Sequence, residues 1–415
     1  MVNFGIISPP VSGHLHPLSA LGRELQQLGH QVTFLQMADL ETKILAEGLD
    51  FYPIGQSDHP LGSLPESIAQ LGQLSGLGAL RFTVKAIQKT TNMICRDAPQ
   101  AIRAKGIEVL LVDQTEPAGA TVADYLGLPY ITICCAMAIN RESTVPPIFT
   151  PWSYQTALWA RLRNQIGYSL FDFITRPIQQ VLQEYRQTWK LPAYQTSSDS
   201  FSRLAQISQQ PPAFDFPRQS LPSTFHYVGP LRNPSPQKVS FPYDKLTGQP
   251  LIYTSLGTLQ NTKEQLFYQI AAACADLDVQ LVLSHGGGMS EESARNLPGN
   301  PLVVSYAPQY ELLAKASLTI THAGLNTVLD SLSHGVPLVA IPITYEQPAI
   351  AARLCWVGAG ESISLQNLSI TNLKTSVDQV LKKQCYRNNA GKIKLSIEQA
   401  GGVKRATDII QSLIK

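Results

Sequence analysis

Cysteine patterns that would close disulfides or hold zinc are missing from this chain. The six cysteines include no C-x-x-C, and the one close pair, Cys134 and Cys135, is adjacent and suits neither a bridge nor a ribbon. Reduced thiols in a cytoplasmic protein are the expectation. Charge is scarce and balanced: 15% of residues are charged, 32 Lys and Arg against 30 Asp and Glu, net +2. No general affinity for nucleic acid or for anionic surfaces follows from that balance. The longest apolar run, residues 128–139, contains Pro129 and falls short of the about 20 residues that cross a bilayer. The first basic residue is Arg23, so no signal peptide is expected. A P-loop, a dinucleotide G-x-G-x-x-G after the first strand and a G-x-S-x-G elbow are also absent, so His285-Gly286-Gly287-Gly288 reads as a flexible turn rather than an esterase oxyanion loop.

What is present is a globular chain of 415 residues, 44% apolar, long enough for two domains with sizeable cores. Residues 2–8, 32–35, 50–54, 107–112 and 130–134 read as short, nearly continuous apolar strands. Leu18, Leu21, Leu25 and Leu28 recur at helical spacing and Gly29 supplies a stop; a further helix is expected over 118–126. Continuous rather than alternating apolar runs predict strands buried on both faces, hence parallel sheets covered by helices. Nine prolines between residues 211 and 250 mark a linker. A second series of strands follows at 251–255, 280–284, 302–306, 318–321 and 338–341, and residues 369–414 read as helical. The expected division is 1–210, a linker 211–250, and 251–415, with the terminal helix packing back on the first domain. Two doubly wound α/β domains place ligands at the carboxyl ends of their sheets.

Two constellations carry chemistry. In the first, Thr321 ends a strand, and His322, Gly324, Asn326 and Thr327 open the helix 325–333. Backbone N–H groups and the helix dipole favour an anion there, such as a diphosphate; a simple helix cap is the other reading. Ser255-Leu256-Gly257-Thr258 is a second tight turn after a strand. In the second constellation, His14 follows the first strand in a loop before the first helix. Imidazole can take a proton near neutral pH, and a base of this kind needs a carboxylate to orient it. Asp113, at the end of residues 107–112, is on the same sheet edge. His16 is the competing base, and His14-x-His16 lacks a visible third ligand, so no metal is expected.

Residues 306–347, YAPQYELLAKASLTITHAGLNTVLDSLSHGVPLVAIPITYEQ, resemble the nucleotide-binding signature of the UDP-dependent glycosyltransferases, the family of plant secondary-product, bacterial macrolide and animal glucuronosyl transferases. The resemblance implies the GT-B fold, two Rossmann-like domains facing a cleft. It implies that Tyr306, where plant members have Trp, stacks on uracil, with Ala307 and Gln309 beside the base. His322, Gly324, Asn326 and Thr327 then hold the phosphates, together with Ser255, Gly257 and Thr258. Asp330 stands where plant members carry a ribose-binding Glu, and Glu346 and Gln347 match the pair on the sugar hydroxyls. Gly13, His14 and Pro17 match the family's G-H-x-x-P, and Asp113 its aspartate. Residues 345–353 look more like the bacterial carotenoid glycosyltransferases than the plant enzymes.

Trp152, Tyr154, Trp159, Tyr168, Phe171, Phe173, Tyr185 and Trp189 form an aromatic segment. It reads as helices packing on the first domain around a lipophilic acceptor pocket, or as a surface touching membranes. The expectation is a monomeric, metal-independent inverting transferase. It would move a hexose, glucose first, from a UDP-sugar co-substrate to a hydroxyl of a carotenoid such as zeaxanthin, or of a phenolic or polyketide. A nucleotide-sugar epimerase of the same fold and a non-catalytic nucleotide-sugar-binding partner are the rival readings.

Overall fold

The computed structural model describes residues 1–74, 76–232, 239–257 and 263–414. The first half runs β1 (Asn3–Ile7), α1 (Ser12–Gln27), β2 (Gln31–Gln36), α2 (Glu41–Ala46), β3 (Asp50–Pro53), α3 (Ser63–Gln73), α4 (Gly76–Lys105), β4 (Val109–Asp113), α5 (Pro117–Leu126), β5 (Tyr130–Cys134), α6 (Leu158–Thr188), β6 (Gln206–Ser208) and β7 (Phe225–Tyr227). The second half runs β8 (Leu251–Ser255), α7 (Glu264–Cys274), β9 (Gln280–Ser284), α8 (Glu291–Arg295), β10 (Leu302–Val304), α9 (Gln309–Leu313), β11 (Ala316–Thr321), α10 (Leu325–Ser333), β12 (Leu338–Ala340), α11 (Gln347–Trp356), β13 (Gly360–Ser362), α12 (Ile370–Lys382), α13 (Gln384–Ala400) and α14 (Gly402–Leu413).

The strands form two sheets, ordered β3-β2-β1-β4-β5-β6-β7 and β10-β9-β8-β11-β12-β13. Every pairing is parallel. The apolar runs explain this: β4, Val-Leu-Leu-Val-Asp, is buried at all five positions, so helices must cover both of its faces. In both sheets the chain order reverses once. The switch points fall between β1 and β4 in the first sheet and between β8 and β11 in the second, the positions where α/β sheets bind ligands.

Three local features depart from the periodicity. α1 begins at Ser12 rather than near Leu18, which puts His14 in the first helical turn and not in a preceding loop. Residues 211–250, read as a linker, contain β7, which extends the first sheet beside β6. That strand is three residues long, too short for alternation to show; Pro234 and Pro236 of the segment lie outside the described residues. The helices α3 and α4 fill a stretch where no element was expected, and the 30-residue α4 packs on the 31-residue α6. At the far end of the chain, Val403, Ala406 and Ile410 of α14 enter the first domain's core with Phe4, Leu18 and Leu21.

The halves are also joined by buried charge. Asp215 accepts from Arg353 at 2.8 Å and from Arg218 at 2.9 Å, all three side chains being 5% exposed or less. Burial resists the Asp215 charge, but the two guanidinium groups overcome it and hold the carboxyl at about 2. Arg353 also stacks over Phe216, 4.2 Å from its ring centre.

Candidate active site

His14 Nδ1 lies 2.8 Å from Asp113 Oδ2, the histidine in the first turn of α1 and the fully buried aspartate at the end of β4. Both therefore sit at the switch point of the first sheet. Asp113 is fixed from behind: Thr115 donates its backbone N–H at 2.9 Å and its hydroxyl at 2.6 Å to Oδ1. Burial disfavours charge on both partners, and each favours the charged form of the other. The His14 pKa is raised above the ordinary imidazole value, chiefly by Asp113 with help from Glu346 and Glu116, and that of Asp113 is lowered. His16 does not compete. Its surroundings, with Lys43, Arg232 and Arg23 adding positive charge, push it down to about 4.

Two neighbours of the dyad carry no sequence signal. Glu116, the N-cap residue of α5, is buried, and burial followed by the charge of Asp113 pushes its carboxyl up to about 8. Its Oε2 makes no hydrogen bond among the described residues. The buried Cys135 thiol is pushed well up by burial and by the charge of Asp113, to which it hydrogen-bonds. His14, Asp113 and Cys135 present ligand atoms within 4.8 Å of one another. The Asp113 carboxylate is thus shared by the His14 ring and the Cys135 thiol.

The second switch point collects the donor signature. Ser255 ends β8, and its hydroxyl accepts from Gly257 N at 3.3 Å; Thr258 lies outside the described residues. The His322 ring is clamped between two glycines: a Cβ on Gly257 would come within 2.8 Å of it, and one on Gly324 within 2.7 Å. Gly257 also has φ +72°, which disfavours a side chain in its own right. Burial lowers His322 to about 4, so at neutral pH the ring is uncharged and its single N–H is given to the Ser255 backbone. Ala323, at φ 66°, turns the chain into α10; Tyr345, at φ 54°, does the same ahead of α11.

The α10 N-terminus opens at Gly324 and exposes backbone N–H groups, as an anion cradle requires. Asn326 is already engaged: Nδ2 donates to Gly13 O at 2.8 Å, and Oδ1 accepts from Gln209 at 3.0 Å. Asp330 accepts from Gln309 at 2.7 Å and, on its other oxygen, from Arg232 at 2.7 Å. Arg232 also donates to Asn326 O at 3.2 Å, so one guanidinium follows the face of α10 from Asn326 to Asp330. The sequence did not single it out. Thr327 is buried, 3.5 Å from the Gln309 oxygen. Tyr306 exposes its ring, while its hydroxyl donates to Gly286 O at 3.1 Å, which ties the His285–Gly288 turn to the base site. Ala307 is buried beside it. Glu346 is half-buried before α11, and the Gln347 oxygen accepts from Ile343 N and Thr344 N at 2.8 and 2.9 Å, which shapes the loop that would hold the sugar.

A pocket walled by Val145, Pro147, Phe149, Tyr168 and Phe171 opens three residues beyond Cys135. Of the aromatic segment, Tyr168 and Phe171 face this pocket, and Tyr185 and Trp189 pack on the first domain. Trp159 and Phe173 instead point to solvent.

The family model for UDP-glucoronosyl and UDP-glucosyl transferase matches residues 13–399. A zeaxanthin glucosyltransferase of Pantoea ananas is 36% identical over 417 residues, covering 100% of this chain and 96% of its own. Another, from Pseudescherichia vulneris, is 36% identical over 425 residues, covering 100% and 98%. Among solved structures, the calicheamicin glycosyltransferase CalG4 superposes with a TM-score of 0.77 at 20% identity, covering 100% of this chain and 98% of its own. At that identity the likeness speaks for the fold, which is GT-B. With the dyad at one switch point and the nucleotide-sugar cradle at the other, this chain is a glycosyltransferase that belongs to the UDP-glucoronosyl and UDP-glucosyl transferase family.

Proposed function

We propose that the enzyme transfers glucose from UDP-glucose, with inversion, to a hydroxyl of a lipophilic acceptor of the carotenoid kind. The observation that carries the mechanism is the buried His14–Asp113 contact at 2.8 Å, beside the helix that receives the diphosphate. Asp113 holds Nδ1, which fixes the tautomer and leaves Nε2 to take the acceptor's proton. The acceptor oxygen forms its bond to the anomeric carbon as the bond to UDP breaks; the proton ends on His14 and the electron pair leaves with the diphosphate. One displacement with no protein nucleophile inverts the anomeric centre. Charge growing on UDP is met by the N–H groups of α10, the single N–H of neutral His322 being given to the Ser255 backbone, and no metal is assigned to this step. Glu346 and Gln347 serve the sugar hydroxyls.

The acceptor reading is supported by the activity named for the two relatives at 36% identity. A long apolar acceptor gains about 25 cal/mol per Å² buried, without precise polar contacts. The test supplies UDP-glucose with zeaxanthin, a flavonol or a free sugar, and reads product mass and the anomeric proton coupling. Turnover of zeaxanthin with inversion is expected. Retention would overturn the mechanism, preference for the free sugar would overturn the acceptor class, and acceptor-independent conversion of UDP-glucose into an epimeric UDP-sugar without release of UDP would favour an epimerase.

A further inference from the structure

Helix α6 has two apolar sides, and the protein fills only one of them. Its inner side packs through Ala160, Gly167, Ile178 and Leu182, and Tyr168 and Phe171 close the pocket. On the outside, Leu158, Trp159, Leu162, Ile166, Leu170 and Phe173 are between 52% and 82% exposed. At about 100° per residue these six fall within roughly a third of the helix circumference, one continuous stripe along about four turns. A single exposed leucine means nothing, but a contiguous stripe of six large apolar side chains marks a surface that is covered in use.

The charge around the stripe says by what. Arg161 and Arg176 are exposed along it, and Arg163 lies over the Trp152 and Trp159 rings at 4.6 and 5.3 Å. The one acidic residue between 158 and 176, Asp172, is taken by Arg141 at 2.8 Å. The face therefore presents apolar side chains, an interfacial tryptophan and unopposed arginines, the pattern of a helix that lies in a lipid headgroup layer. Among the described residues no helix is long and apolar enough to cross a membrane.

We propose that the outer face of α6 docks the enzyme on an anionic lipid surface, with the acceptor pocket on the inner face of the same helix. A lipophilic acceptor dissolved in the bilayer would then reach the pocket without passing through water. The docking stands on the stripe and its arginines; only the route of the acceptor rests on the function proposed above.

The test is flotation of the full chain with vesicles of phosphatidylcholine, with and without phosphatidylglycerol. The wild type should float with the anionic vesicles. Leu162→Gln/Ile166→Gln/Leu170→Gln, which keeps good helix formers, should stay in solution. Arg161→Gln/Arg176→Gln should lose about fivefold in anionic-vesicle affinity per arginine, and the wild-type affinity should fall with salt. All three proteins should share the same far-UV circular dichroism and the same melting temperature within a few degrees, which shows that the variants fold. Failure of the wild type to float, or flotation of the triple variant like the wild type, would overturn the proposal. So would a concentration-dependent dimer, abolished by the triple variant in the absence of vesicle binding, because a second copy would then be the occupant. If flotation behaves as expected but no acceptor is glycosylated, the functional reading fails and the docking stands.

Discussion

Asn326 donates its side-chain amide to the backbone carbonyl of Gly13 at 2.8 Å, across 313 residues of sequence. That carbonyl is free because of Pro17. In α1 the N–H four residues after Gly13 would bond to it, and proline has none. The catalytic helix and the donor helix are thus joined by a defect in the first.

Pro17→Ala should restore the helical bond and take Gly13 from Asn326. Thermal stability should hold or rise, while kcat/KM falls about two- to tenfold, the worth of one ordinary hydrogen bond. Unchanged kcat/KM in a variant of normal stability would show that the link does not matter to turnover.

His14→Ala should lose about 10²–10⁴ in kcat, the usual contribution of a general base, and keep its affinity for UDP. The wild-type pH profile follows from the raised pKa of His14: a base works deprotonated, so the acid limb of kcat/KM lies above the ordinary imidazole value. Asp113→Asn removes the charge that raises it, so the limb should move to lower pH while the plateau drops. A limb that stays in place in Asp113→Asn would assign it to another group.

Glu116 titrates against the fold. Its carboxyl goes from an ordinary 4.5 to about 8 in the native state, so the native protein binds the extra proton. Stability is therefore fully present below the lower value and falls as pH rises through the upper one. Glu116→Gln mimics the protonated form, so its melting temperature should match the wild type near pH 4.5 and exceed it increasingly up to about pH 8. Parallel melting curves across that range would refute the assignment.

Arg232 brings a positive charge onto the donor helix, whereas His322 is neutral. Arg232→Met should weaken UDP about ten- to hundredfold, as loss of a charged hydrogen bond does, and uridine far less. Arg232→Lys should recover part of the UDP affinity. Calorimetric titration separates these outcomes; equal losses for UDP and uridine would confine Arg232 to orienting Asp330. Activity should also survive a chelator, which a strict requirement for added magnesium or manganese would contradict.

Arg353→Met leaves Asp215 buried with half of its counter-charge. A loss of about 3–5 kcal/mol is expected in denaturant unfolding, as for other broken buried pairs. Because the pair joins the halves, the single transition should also broaden or divide.

The donor cradle was legible because it is local. His322, Gly324, Asn326, Thr327 and Asp330 lie within nine residues, and strand, turn and helix follow one another in the order in which they act. The parallel sheets were legible for a similar reason: runs such as β4 are apolar at consecutive positions, and only burial on both faces suits them. The nearness of His14 and Asp113 was an expectation from strand ends, which the switch point turns into a 2.8 Å contact.

The sequence alone therefore determined the fold class and the strand-to-helix turns on which His14, Asp113 and the segment 322–330 lie, since these depend on neighbours a few positions apart. The tertiary structure decided everything that depends on distant partners. Gly13 with Asn326, Asp330 with Arg232 and Asp215 with Arg353 are 313, 98 and 138 residues apart, and no periodicity encodes such pairs. It also decided what the aromatic segment means. The spacing of Trp159, Leu162, Ile166, Leu170 and Phe173 is helical wherever the helix sits, but whether that stripe is core or surface depends on what packs against it, and in the folded chain Trp159 and Phe173 face solvent.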